Sequence, residues 1–273
     1  DVIVPWLPHL GALREGAKVI AAGEDPHQLR TPVRDFPADI SLTGRSAAII
    51  AGLASRMEAR DCSARFSEIA ARAEERRIRQ TTGPIPDGVM TANYVSQRLA
   101  VLAGDSGRIV TEIGARVPAM RFAGHDQLFQ NPLAGGLGWS MPTALGLQLA
   151  DRDRLTIATM GDGGYMFANP VACHQIADAL SLPLMTVVFN NGVWNAVRMT
   201  SLAIYPDGYA ARANRMPLTS LEPAPDYCRI AEASRAWTAR VEDPQSLDAV
   251  LQEAARVIRE EKRQALVEVI VAA

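Results

Sequence analysis

The most specific chemistry in this chain lies in two short stretches, Gly161-Asp162-Gly163-Gly164 and Asn190-Asn191-Gly192, with Asp162 and Asn191 separated by 191 − 162 = 29 positions. Each stretch adjoins a short apolar run, Leu155 to Met160 or Leu184 to Phe189, about the length of a buried parallel strand. The segment between the runs reads as a helix, so a βαβ unit is predicted, and its two strands must end on one edge of their sheet. A carboxylate and an amide oxygen meeting at that edge are the hard donors that Mg²⁺ shares with substrate phosphates. Gly163 and Gly164 let backbone N–H groups approach phosphate oxygens at the mouth of the following helix, where the dipole favours anions. Singly, Asp-Gly and Asn-Gly are ordinary turn dipeptides. Placed together, each directly after an apolar strand, they predict a metal-diphosphate site.

A second glycine-rich stretch, Ala134-Gly135-Gly136-Leu137-Gly138-Trp139, precedes a predicted helix from Pro142 to Ala150. Such spacing implies close approach of backbone to something flat or charged, or else a tight packing loop. Gly114 and Ala115 follow a predicted buried strand, Arg108 to Ile113, and on sequence alone Gly114 is a turn glycine. His27, Arg30 and His125 read as loop residues without a ligand role.

GDG followed by NN at this interval resembles the binding motif of thiamine diphosphate enzymes, and CHQIADALSLPLMTVVFNNGVWNAVR resembles the branch containing acetolactate synthase and benzoylformate decarboxylase. The resemblance implies thiamine diphosphate and Mg²⁺ as cofactors, with Asp162, Asn191 and the Val193 carbonyl as metal ligands. It places Gly114, Ala115, Gly161, Gly163 and Gly164 near the diphosphate. GGLGWSMPTALG is similar to the family's pyrimidine-binding turn, in which Gly135 would supply a carbonyl to the 4′-amino group and Leu137 would press beneath the bent cofactor. Trp194, Ala196 and Thr200 become candidate cofactor or substrate contacts.

The activity implied is that of a 2-oxo acid decarboxylase or carboligase, acetolactate-synthase-like, with a benzoylformate-decarboxylase-like lyase as the alternative. The activating Glu of the family belongs to an N-terminal pyrimidine-binding domain, and no stretch here matches it. The chain is therefore expected to hold a half-site, completed by that domain from the same gene or a separate chain, within a homo-oligomer, dimer or tetramer. A split-enzyme subunit inactive alone, or a generic flavin- or nucleotide-phosphate-binding domain, are the other classes left open. One departure from the family is a slightly longer GDG-to-NN gap, with Asn169-Pro170 in the extra stretch.

The elements that must carry these residues are α/β. Strands are predicted at Lys18 to Ala22, around Ile40, at Ala236 to Val241 and at Ala265 to Val271. Helices are predicted at Arg45 to Met57, with Ile49, Ile50 and Leu53 on one face, from Thr91 as cap through Leu102, from Gly192 to about Leu202, at Pro225 to Arg235 and at Ser246 to Lys262. Tyr205 to Pro225 holds four prolines and reads as a lid or substrate loop. The alternation after residue 91 predicts a doubly wound, mostly parallel sheet with its ligand off the strands' carboxyl ends. Residues 1–60 resemble the latter part of the family's central domain, 61–88 read as a charged linker, and 89–273 as the diphosphate-binding domain.

Composition narrows the classes further. With 273 residues, 48% hydrophobic and 21% charged, the chain is ordinary globular material, and a formal charge of −2 gives no reason to expect nucleic acid. Three scattered cysteines form neither a disulfide framework nor a metal motif and fit a reducing cytoplasm. There is no apolar run of the roughly 18 residues that a membrane helix needs. The opening Asp1-Val2-Ile3-Val4-Pro5-Trp6 already reads as a strand and its exit, without an initiator Met, so a fragment of a longer protein is expected.

Overall fold

A computed structural model describes residues 13–27, 29, 38–132, 135–213 and 216–272; the predicted first strand and Arg30 lie outside them. The chain divides into two compact units, Asp1–Glu68 and Ile69–Ala273.

In the first unit, β1 (Ile20–Gly23) and β2 (Ile40–Thr43) pair in parallel, with Ile20 opposite Ile40. Just ahead of the ladder, the Asp39 carboxylate accepts from the Val19 N–H at 2.8 Å. α1 (Ser46–Ala54) forms where the apolar spacing predicted a helix. On its apolar face Ile49 is half-buried beside Gly44, while Ile50 and Leu53 are 65% and 45% exposed. α2 (Ser63–Thr81), most of which belongs to the second unit, occupies most of the stretch expected as a linker. Its run of Ala, Glu, Arg and Gln favours helix whatever it packs against.

The second unit contains α3 (Ala92–Ala103), β3 (Arg108–Thr111), β4 (Leu128–Gln130), α4 (Ser140–Ala150), β5 (Thr156–Gly161), α5 (Asp162–Phe167), α6 (Pro170–Ala179) and β6 (Met185–Asn190). It continues through α7 (Asn195–Ile204), α8 (Tyr209–Arg212), α9 (Tyr227–Glu232), β7 (Trp237–Val241), α10 (Leu247–Arg256) and β8 (Ala265–Ile270). The Thr91 side chain caps α3 by accepting from the Tyr94 N–H at 3.2 Å. α10 runs on into a π-helical turn, Val257–Glu261, that stops at Lys262 in the left-handed region. No helix among the described residues is long and apolar enough to cross a membrane.

Six strands form one all-parallel sheet in the order β4-β3-β5-β6-β8-β7. Alternate strand residues serve two cores. Ile157, Val187, Phe189 and Val267 join Val95 and Leu99 of α3 and Leu247 and Leu251 of α10 on one face. Ala158, Met160, Val188 and Leu266 join Met141 of α4, Tyr165 of α5, Cys173 of α6 and Tyr227 of α9 on the other. The sheet is thus doubly wound. From β3 the chain passes outward to β4 and then returns to lay β5 on the other side, so the strand order reverses between β3 and β5, the position where such sheets form a crevice.

The single helix predicted between β5 and β6 is two. Asn169 adopts φ 53°, outside the helical region, and Pro170 begins a new helix without needing a backbone donor.

Candidate functional site

At the end of β5 a carboxylate reaches across to the loop that leaves β6. Asp162 opens α5 and is 3% exposed. One of its oxygens accepts from the Gly163 N–H at 2.8 Å, and the other from the Asn191 and Gly192 N–H groups at 3.2 and 2.8 Å. The two strands are adjacent and in register, Gly161 opposite Phe189, so their exits leave the sheet side by side. Burial pushes the Asp162 carboxyl above its ordinary range, while the N–H groups of Gly163, Gly192 and Asn191 pull it back, with no cationic side chain contributing among the described residues.

The two asparagines take different parts. Asn190, the last residue of β6, is buried; its amide donates to Glu268 on β8 at 2.6 Å and its oxygen accepts from the Gly192 N–H at 2.9 Å. The Asn191 oxygen accepts from the Val193 N–H at 3.1 Å, an Asx turn. The Val193 carbonyl in turn accepts from the Asn195 N–H at 2.8 Å across Trp194, whose φ of −69° and ψ of 69° are those of an inverse γ-turn. These turns occupy residues 191–194, which is why α7 starts at Asn195 rather than at Gly192 as predicted.

The Asp162 carboxylate, the Asn191 amide and the Val193 carbonyl each keep lone pairs beyond these bonds. An all-oxygen donor set that includes a buried carboxylate has the chemistry that Mg²⁺ takes. Among the described residues no group of three or more His, Cys, Asp or Glu side chains forms another metal site.

The glycines of the GDGG turn have a reason that their spacing did not suggest. A Cβ on Gly163 would lie 2.1 Å from the Trp194 ring, and one on Gly164 would lie 2.3 Å from the Glu112 carboxylate. Trp194 and Glu112 therefore fill the space, and the Gly163 N–H is engaged by Asp162 instead of facing outward to a phosphate. Trp194 also stands edge-on to Phe167, with ring centroids 5.6 Å apart.

Two further glycines bring loops together. Gly114, at φ 126°, leaves β3 so close to β5 that a Cβ would sit 3.1 Å from the Gly161 nitrogen. Gly138, at φ 87°, presses its turn onto the end of α5, where a Cβ would sit 2.5 Å from the Ala168 nitrogen. The Ala115 side chain packs into the core, leaving only its backbone at this rim. Gly135 lies against Asn131 and Pro132 of its own loop, and Leu137 is half-buried beside it in sequence. Ala196 and Thr200 are exposed on α7, the Thr200 hydroxyl donating to the Ala196 carbonyl at 2.8 Å. Part of the proline-rich segment is fixed to the site: Trp194 N–H donates to the Thr219 carbonyl at 2.7 Å, and Leu221 N–H to the Gly192 carbonyl at 2.9 Å.

Residues 103–269 match the thiamine pyrophosphate enzyme, C-terminal TPP binding domain. The chain belongs to this family. The matched range runs from the end of α3 into β8 and so includes every loop of the candidate site just described. Acetolactate synthase from Mycobacterium avium is 25% identical over 230 residues, covering 80% of this chain and 35% of that protein. Benzoylformate decarboxylase from Pseudomonas aeruginosa is 31% identical over 118 residues, 42% of this chain and 21% of the enzyme. A probable acetolactate synthase large subunit from Methanococcus aeolicus is 28% identical over 120 residues, 44% of this chain and 18% of that protein. The chain thus spans about a third of the length of the synthase it matches most extensively here.

Sequence reasoning passed over three groups that shape this site. Glu112, the residue directly after a buried strand, was legible only as a charge out of place after an apolar run. Asn190 was overshadowed by its neighbour. The third is a buried chain in which the Tyr165 hydroxyl meets His174 Nε2 at 2.8 Å and His174 Nδ1 meets the Gln264 oxygen at 2.7 Å. The Gln264 amide donates to the His174 and Ser234 carbonyls, so its oxygen can only accept; Nδ1 therefore carries the hydrogen and Nε2 accepts from Tyr165. This chain ties α5, which carries Asp162, to α6 and to the residue before β8.

Proposed function

We propose that this chain is the cofactor diphosphate-binding half of a thiamine diphosphate- and Mg²⁺-dependent enzyme that decarboxylates or ligates small 2-oxo acids, acetolactate-synthase-like. The observation that carries the reading is the buried Asp162 carboxylate, without a cationic partner among the described residues, held at 2.8 to 3.2 Å from the backbone of the Asn191-Gly192 turn. In this reading Asp162, the Asn191 amide and the Val193 carbonyl hold Mg²⁺, and the metal holds the diphosphate. Backbone at Gly114, Ala115, Gly161 and Gly164 lines the diphosphate, and Gly163 serves by admitting Trp194 against the metal loop. The Gly135 carbonyl orients the pyrimidine, and Leu137 supports the cofactor from below. Ala196 and Thr200, on the exposed face of α7, are the candidate substrate contacts.

Thiamine diphosphate would supply the electron sink for loss of carbon dioxide from a 2-oxo acid. The protein's share is to anchor, orient and exclude water. The acid that hydrogen-bonds the pyrimidine is assigned to an N-terminal pyrimidine-binding domain, in the same gene or a separate chain, within a homodimer or homotetramer. The 31% identity to benzoylformate decarboxylase supports a lyase of that kind as the second reading.

A thermal-shift titration of the full chain with thiamine diphosphate, FMN and ATP, each with Mg²⁺, tests the assignment. Stabilisation is expected with thiamine diphosphate alone, and Asp162→Ala is expected to abolish it. An Asp162→Ala protein that responds like its parent, or a larger response to FMN or ATP, defeats the reading.

A further inference from the structure

Glu112 leaves β3 at the sheet reversal, and its carboxylate is spread over two backbone donors far along the chain. One oxygen accepts from the Gly138 N–H at 3.2 Å and the other from the Ser140 N–H at 3.0 Å, 26 and 28 positions downstream. Ser140 begins α4, a helix with no side-chain cap of its own. Glu112 thus supplies from another strand the acceptor that the first turn lacks, at the end of the helix where negative charge is favoured. The same carboxylate lies against Gly164, whose missing side chain makes room for it. Among the described residues no other side chain accepts from the N–H groups of this turn.

One side chain therefore ties the exit of β3 to the glycine turn and the start of α4, while its contact with Gly164 is packing alone. We infer that Glu112 is a positioning residue, whose carboxylate fixes where the turn at residues 135–139 presents its backbone to the pyrimidine ring of thiamine diphosphate. The inference rests on the cofactor reading above. A carboxylate suits the task because it only accepts, whereas an amide would turn a donor toward one of the two N–H groups. Burial pushes the Glu112 carboxyl up and the N–H groups of Ser140, Gly138 and Trp139 pull it back.

The pyrimidine turn and the metal-diphosphate loops can be probed separately. The full chain is titrated calorimetrically with Mg²⁺-pyrophosphate and with Mg²⁺-thiamine diphosphate. The parent binds both, the second more tightly. Glu112→Gln keeps its pyrophosphate affinity within about twofold and loses about 10-fold for thiamine diphosphate, the effect of breaking one hydrogen bond to a charged group. Glu112→Asp, still an acceptor only, retains more thiamine diphosphate affinity than Glu112→Gln. A Gln variant that weakens both probes alike, or neither, overturns the inference, and if that variant does not fold, the same split is read from Glu112→Asp. A parent chain that binds neither probe overturns the cofactor reading itself, and one that binds pyrophosphate as tightly as thiamine diphosphate overturns only the role of the turn.

Discussion

Replacing Gly163 by Ala separates two explanations for the glycine. Gly163 lies inside α5 without a positive φ, so in open space a Cβ would favour the helix by up to about 1 kcal/mol. If the glycine exists only to let phosphate approach, the unliganded variant is as stable as the parent or more so. The structure demands the opposite, since the new Cβ would fall 2.1, 2.5 and 2.8 Å from three carbons of the Trp194 ring. That ring is held edge-on to Phe167 and its backbone is tied to Thr219, so relief requires repacking, at roughly 1–3 kcal/mol for an overpacked site. In a Trp194→Ala background the clash is gone and Gly163→Ala becomes neutral to mildly stabilising. Urea unfolding of the parent, both single variants and the double variant closes the cycle, with an expected coupling of about 2 kcal/mol, within the range for residues in contact. A Gly163→Ala protein as stable as the parent, or a coupling below roughly 0.5 kcal/mol, refutes the packing argument.

Gly138→Ala is expected to cost about 3 kcal/mol or more in chemical denaturation, because a left-handed backbone and contact with the Ala168 backbone at 2.5 Å act together; a loss under about 1 kcal/mol counts against that geometry. Stability should also respond to acid through His174, which is 1% exposed and whose pKa burial lowers. The unfolded imidazole takes up a proton near pH 6.5 while the folded one stays neutral to lower pH. The contribution of His174 is therefore complete above about pH 6.5 and is lost as the pH falls through its depressed folded value. The melting temperature of His174→Gln should fall less steeply over that interval, and equal slopes for parent and variant exclude the assignment.

The strands were legible where burial on both faces made them continuous apolar runs, as at Thr156–Gly161 and Met185–Asn190. β4 was not, because it is three residues at the edge of the sheet, two half-covered and one exposed, and has no such run. The convergence of Asp162 with the Asn191 turn followed from topology alone, since neighbouring parallel strands share an edge. What periodicity could not convey was the identity of space-filling partners. Only coordinates reveal that Trp194 occupies the place of a Gly163 side chain and that Glu112 serves a helix more than twenty-five positions away. The break at Asn169-Pro170 was visible as an oddity of spacing, and its effect, a left-handed residue followed by a fresh helix, required the backbone.

Residues 219–221 are stitched to 192–194 through main-chain amides, with Val193 and Ser220 forming an antiparallel bridge. Amide seams of this kind ignore side-chain identity so long as proline is avoided at the donors. The long segment can therefore be rewritten in its side chains, and so in what it admits toward the crevice, without loosening the carbonyl of Val193. Displacing it as a body is another matter: that motion breaks the bond from the Trp194 N–H and the bond to the Gly192 carbonyl, and so frees the backbone on either side of Val193.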